Sequence, residues 1–151
     1  VSLRAWITIR APGLALRLFT LSAAELGLVG EELAARAARE QGYRLLGRRL
    51  RTPSGEIDIL ARHEEALVAL EVKTTLATRV PAPQPGGFRL ASEPLARWRG
   101  EQARRLERAL AEYARAEGFS KTPLRIDAVE VTLEAGQAPR LRFHQDARAR
   151  A

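Results

Sequence analysis

Glu56-Ile57-Asp58-Ile59-Leu60-Ala61, a polar break over Arg62 to Glu65, and Ala66-Leu67-Val68-Ala69-Leu70-Glu71-Val72-Lys73 form the stretch on which the fold turns. Both runs have strand length, and Thr52-Pro53-Ser54-Gly55 sets a turn before the first. The second is apolar almost throughout, as in a central strand covered on both faces. Residues two apart on a strand share a face, so Glu56 sides with Asp58 and Glu71 with Lys73. A turn centred between Glu64 and Glu65 places Asp58 opposite Glu71 and Glu56 opposite Lys73. Opposed Cβ atoms lie roughly 4.5–5.5 Å apart, so the two carboxylates repel unless a cation lies between them. Asp58 and Glu71 are therefore candidate metal ligands, with Lys73 beside them. A one-residue slip would send Asp58 and Glu71 to opposite faces. The same charges also fit an ion-pair ladder on an exposed face, with Lys73 bridging Glu56. Against the ladder, a charged pair at the end of so apolar a strand is desolvated without compensation.

Working outward, Ser22-Ala23-Ala24-Glu25 has the form of a capping box. Leu26, Val29, Leu33 and Ala37 follow at helical spacing, and Gly42 is placed as a C-cap, giving a helix that ends near Gln41. Gly27 and Gly30 each cost about 1 kcal/mol inside a helix, so its regular part is expected to begin near Gly30. Tyr43 to Arg51 is a strand by pattern. From Thr75 to Arg99, Pro81, Pro83, Pro85, Gly86, Gly87 and Pro94 break any regular element, and a loop of that length is usually functional or disordered. Ala103, Leu106, Leu110, Tyr113 and Ala114 form a second helical stripe, stopped by Gly118. Leu124 to Leu133 alternates as a fourth strand, and Arg140 to Phe143 returns as a fifth, at the edge. The tail beyond Asp146 is expected to fray.

The chain has 151 residues, of which 46% are hydrophobic and only 5% aromatic. That suits one domain with a core of Leu, Val, Ile and Ala. The formal charge is +7, carried mainly by arginine; it fits a polyanion partner and equally a solubilising surface. With no Cys, a thiol nucleophile or Cys-ligated zinc is excluded, and the two distant histidines, His63 and His144, disfavour an ordinary zinc site. A metal must be held by oxygen, which points to Mg2+ or Mn2+. No apolar run reaches the roughly 18 residues of a membrane span, and Arg10 and Arg17 interrupt any secretory leader, so a cytoplasmic location is expected.

In order along the chain stand Gly30-Glu31, Gln41-Gly42-Tyr43, Gly55-Glu56-Ile57-Asp58, Glu71-Val72-Lys73 and Arg125-Ile126-Asp127. Asp58 followed by Glu71-Val72-Lys73 resembles the signature of PD-(D/E)xK nucleases. The whole series resembles the YraN family of bacterial proteins, related in fold to archaeal Holliday-junction resolvases, from about Leu28 to Ala147. The resemblance implies a restriction-endonuclease-like α/β fold, a central mixed sheet flanked by helices. It makes residues 1–27 an extension outside a domain of residues 28–147, followed by a short tail. It also implies catalytic roles: Asp58 and Glu71 on the metal, Lys73 on the attacking water and the phosphate, and Glu31 as an outlying acid. By residue type alone Glu31 equally reads as a solvated helix residue like Glu32. Four positions depart from the family: it usually has Asn where Arg49 stands, Arg where Thr75 stands, and a Lys-Gln pair where Gln102-Ala103 stand.

Arg97, Arg99, Arg104, Arg105 and Arg108 gather at the start of the second helix, with Trp98 among them. They form a candidate nucleic-acid-binding patch, while Trp98 reads better as folded over the core. Three readings fit: a Mg2+- or Mn2+-dependent endonuclease acting on DNA, including branched or damaged DNA; a non-catalytic nucleic-acid-binding module on the same fold; and a scaffold protein with an incidental acidic ladder. Related nucleases often form homodimers to cut two strands; the sequence marks no dimer face.

Overall fold

A computed structural model describes residues 3–77 and 100–147. In chain order it contains α1 (Leu3–Arg10), α2 (Pro12–Leu18), α3 (Ala23–Glu40), β1 (Arg44–Thr52), β2 (Gly55–His63), β3 (Ala66–Ala77), α4 (Glu101–Ala116), β4 (Leu124–Glu134) and β5 (Arg140–His144). The five strands form one sheet in the order β1-β2-β3-β4-β5. Its pairs are antiparallel except β3 with β4, which are parallel because the connection through α4 crosses over. This is the mixed sheet with helices on both faces that the motifs imply.

The expected hairpin register is present: Ile59 pairs with Leu70, and His63 with Ala66, around a turn where Glu64 takes φ 55. β3 is central, and Ala66 to Leu70 are all buried. It runs four residues past Lys73, to Ala77, where a loop was expected from Thr75. The parallel partner β4 continues the ladder as far as Ala77 with Glu134, so backbone pairing overrides the weak local pattern.

α3 begins at Ala23, earlier than the expected start near Gly30. The capping box is formed: Ser22 Oγ accepts from the Glu25 N–H at 3.2 Å, and the Ser22 N–H donates to Glu25 Oε2 at 2.8 Å. Gly30 is kept for contact rather than for breaking the helix, because a Cβ there would overlap the Thr74 side chain of β3. α3 thereby lies close to the sheet, and Val29, Ala34, Ala35 and Ala38 pack on Ile59, Val68, Leu70, Val129 and Val131. On the other face Leu106, Ala109, Leu110 and Ala114 of α4 pack on Ile57, Leu60, Leu67, Ala69 and Ile126. α2 packs beside the β4–β5 turn, where the Gly136 N–H donates to the Gly13 carbonyl at 2.8 Å.

Candidate active site

Ile57 and Ile59 are two apart on β2 and by alternation should share a face. Instead Ile57 packs in the α4-side core and Ile59 in the α3-side core. The strand rolls over between them, and Asp58 sits in the roll. β1 rolls with it: a bulge at Leu46 shifts its register, Leu45 joins the α3 side, Leu50 the α4 side, and Arg49 takes φ 50. Bulges raise local twist and re-aim side chains.

The consequence is that the β2–β3 pairing ends at Ile59 with Leu70. One residue further, the Val72 N–H donates to Asp58 Oδ2 at 2.8 Å. Backbone N–H groups of a strand point within the sheet, so the Asp58 carboxylate lies between β2 and β3, in the gap their parting leaves. The expected facing of Glu56 with Lys73 is not formed. Lys73 Nζ donates to Glu71, while Glu56 lies 3.6 Å from both the Arg49 and Arg51 guanidinium groups. The charge ladder is therefore split into two local sets by the roll.

Glu31 reaches the gap from α3. Its side chain is 13% exposed, and its Oε2 atom is buried with no hydrogen-bond partner. The neighbouring Glu32 points elsewhere, bonded to Arg36 at 2.9 Å and Arg48 at 2.8 Å. The rotation of α3 thus puts Glu31 in the cluster and Glu32 outside it. Burial pushes the Asp58 carboxyl up to about 7, the Glu71 and Glu31 charges add to the rise, and the Val72 N–H and Lys73 oppose it.

Among the described residues no group of three or more Asp, Glu or His side chains is close enough to hold a metal unaided. Mg2+ commonly keeps several waters and takes only one or two carboxylates, with substrate phosphates as further ligands. The crowded Asp58–Glu71 pair, with the orphaned Glu31 oxygen behind it, fits that mode.

The helix arginines divide. Arg104 and Arg108 pair with Glu101 of their own helix, at 3.5 and 2.9 Å, and Arg105 borders Gly55 in the β1–β2 turn. Arg97, Arg99 and Trp98 lie outside the described residues.

A second polar cluster escaped the sequence reading. Asp127 is fully buried in the sheet. It accepts from Tyr43 Oη at 2.7 Å, from Arg125 Nε and Nη2 at 2.9 Å each, and from the Asp146 N–H at 2.9 Å. Burial and Asp127 push the Tyr43 hydroxyl up to about 12, so it stays a donor. His63 stacks on Tyr43 at 4.0 Å, and its Nδ1 lies 2.8 Å from Arg125 Nη2. Arginine only donates, so Nδ1 accepts and the proton sits on Nε2. The cluster fastens α3's exit, β2, β4 and the tail together. Its signal was present as the Gln41-Gly42-Tyr43 and Arg125-Ile126-Asp127 motifs, which had no role assigned.

Fold and cluster together define the class: a restriction-endonuclease-like α/β protein with carboxylates and a lysine gathered where two central strands part. Within it, the chain belongs to the family described as "Uncharacterised protein family UPF0102", whose model matches residues 30–131, a span that includes Glu31, Asp58, Glu71 and Lys73. It is 38% identical over 117 residues to a UPF0102 protein of Renibacterium salmoninarum, covering 78% of this chain and 90% of the relative. A UPF0102 protein of Leifsonia xyli subsp. xyli is 40% identical over 107 residues, 71% of this chain and 81% of its own. One from Parvibaculum lavamentivorans is 41% identical over 110 residues, 72% and 73% of the two chains. Among the described residues no helix is long and apolar enough to cross a membrane.

Proposed function

We propose that this protein is a metal-dependent nuclease hydrolysing phosphodiester bonds in DNA, branched or damaged DNA included. The observation that carries this reading is the convergence of Asp58, Glu71 and Glu31 at the parting of β2 and β3, with a Glu31 oxygen buried and lacking a donor. Like charges held this close are relieved by a proton or by a bound cation, and the cation is the partner this reading assigns. Asp58 and Glu71 would hold Mg2+ or Mn2+, with Glu31 as the outlying carboxylate. Such a cation, when bound, offsets the negative charge that grows on the phosphate during attack. The Val72 N–H fixes the Asp58 carboxylate from the opposite side. Lys73, its ammonium anchored on Glu71, has further donors to orient the attacking water and a phosphate oxygen. Arg104, Arg105 and Arg108, with Arg97 and Arg99, would bind phosphates outside the reacting group.

A non-catalytic nucleic-acid-binding module is the second reading. Carboxylates turned toward phosphate weaken a pure binder, so their convergence favours the nuclease. The test is incubation with Mg2+ or Mn2+ and linear, single-stranded and four-way-junction DNA, with Asp58→Ala and Lys73→Ala beside the wild type. Cleavage is expected in the wild type and reduced at least ~100-fold in both variants. DNA bound by the wild type but never cut would assign the binding module instead.

A further inference from the structure

We infer that Arg49 and Arg51, on the edge strand β1, grip the phosphodiester backbone beside the carboxylate cluster, an assignment that rests on the nucleic-acid reading of that cluster. Arg49 Nε stands 3.9 Å from Glu31 and 3.6 Å from Glu56, and Arg51 Nε stands 3.6 Å from Glu56. These are attractions without hydrogen bonds. Arg48, between them and Leu45 on the same strand, shows what a committed pair looks like, bonding Glu32 at 2.8 Å. Among the described residues Arg49 and Arg51 thus keep their guanidinium donors uncommitted, on side chains 54% and 89% exposed.

The backbone supplies a second, independent observation. Arg49 takes φ 50 inside a strand, a conformation that Gly or Asn adopts readily and a long side chain does not. Backbone outliers of this kind cluster at binding and catalytic sites. Here the head group stands at the wall of the acidic gap, beside Glu31 and Glu56. β1 is an outer strand of the sheet, so an extended polyanion can lie along it. Both guanidinium groups reach the one Glu56 carboxylate, at 3.6 Å each, so the two forks stand on the same flank of the gap. The fork suits bidentate contact with phosphate oxygens. By contrast Arg108 is hydrogen-bonded to Glu101 at 2.9 Å. The nucleic-acid strand would therefore approach the cluster along β1, with Arg49 and Arg51 offsetting the repulsion of the carboxylates beyond them.

The test is fluorescence anisotropy with labelled single-stranded DNA, duplex DNA and RNA, with Ca2+ replacing Mg2+ so that strands stay intact. Arg49→Asn, Arg51→Asn and, as a control of equal charge loss, Arg39→Asn are titrated across salt concentrations. Arg49→Asn and Arg51→Asn are each expected to weaken binding about three- to tenfold and to lower the salt slope by about 1. Arg39→Asn, an exposed residue at the end of α3, is expected to change affinity less than about twofold. Arg49→Asn is also expected to melt no lower than the wild type, because Asn accepts the φ value. Wild-type affinity and slope in both strand variants would overturn the assignment and leave the nucleic-acid reading standing. Equal loss in Arg39→Asn would overturn it in favour of bulk charge. Loss of binding in Arg49→Asn together with a melting point several degrees lower, while Arg51→Asn binds normally, would make Arg49 structural. Absence of any binding by the wild type would sink both readings together.

Discussion

Asp58 is where the chemistry of single residues is most exposed. Its carboxyl is raised to about 7 from an ordinary value of 3.8, so between those values the folded chain holds a proton that the unfolded chain has released. The native state then binds more protons, and the contribution of this group to stability falls as pH rises from about 4 to about 7. Asp58→Asn keeps an oxygen to accept from Val72 and removes the buried charge. In the absence of metal it is expected to be more stable than the wild type at pH 8, by on the order of 2–4 kcal/mol, with the difference vanishing near pH 4. Denaturant unfolding across that range in EDTA checks it; a variant less stable at pH 8 would show that the Asp58 charge is compensated without metal. Added Mg2+ should raise the wild-type melting temperature at pH 8 and leave Asp58→Asn unmoved. Arg49, at φ 50, holds a backbone conformation that Asn adopts more readily than arginine.

At the scale of elements, α3 contains two glycines with opposite meanings. A Cβ on Gly27 would meet nothing within 4 Å, whereas one on Gly30 would overlap Thr74. Gly27→Ala is therefore expected to stabilise by about 1 kcal/mol, as helix propensity dictates. Gly30→Ala is expected to destabilise by roughly 1–3 kcal/mol, because the helix must move off β3 or Thr74 must yield. Urea unfolding of the two variants gives the comparison, and equal signs would mean that the close approach of α3 to β3 does not hold the helix in place. The approach matters for the site, since the rotation of α3 decides that Glu31 and not Glu32 enters the gap.

For the whole molecule, the question is how the N-terminal helices relate to the family domain. The family match begins at residue 30, yet Ala15 is fully buried and Leu16 packs against the α3-side core. Removal of residues 3–18 is expected to lower stability by about 2–4 kcal/mol, the worth of a buried leucine and its neighbours. The carboxylate cluster and DNA affinity should survive, because no residue of α1 or α2 reaches Asp58, Glu71 or Lys73. A truncated chain as stable as the full one would show α2 to be an appendage; one that loses DNA binding while folded would place part of the interface on it. The Tyr43–Asp127–Arg125 cluster is the other global fastening, joining segments from position 43 to position 146 through one buried carboxylate.

The chain's own pattern gives the order of strands and helices from α3 onward, the turn at Glu64-Glu65 and its register, and the candidate trio Asp58, Glu71 and Lys73, whereas α1 and α2 are unmarked in it. These follow from local periodicity and turn chemistry, which act over a few residues and leave their mark in the chain itself. It also specified the capping box at Ser22, though not that the helix runs unbroken through Gly27 and Gly30, since the reason for Gly30 lies across space in Thr74. Packing across space sets where β2 leaves β3, that Lys73 turns to Glu71 rather than to Glu56, that Glu31 rather than Glu32 enters the gap, and that Asp127 closes a polar network. Each of these depends on the direction of a side chain after twist, bulge and helix rotation have accumulated. Those are set by packing between elements far apart in sequence: the bulge at Leu46 and the strained Arg49 roll the hairpin, and two opposing cores draw Ile57 and Ile59 to opposite sides, leaving Asp58 in the gap between the strands.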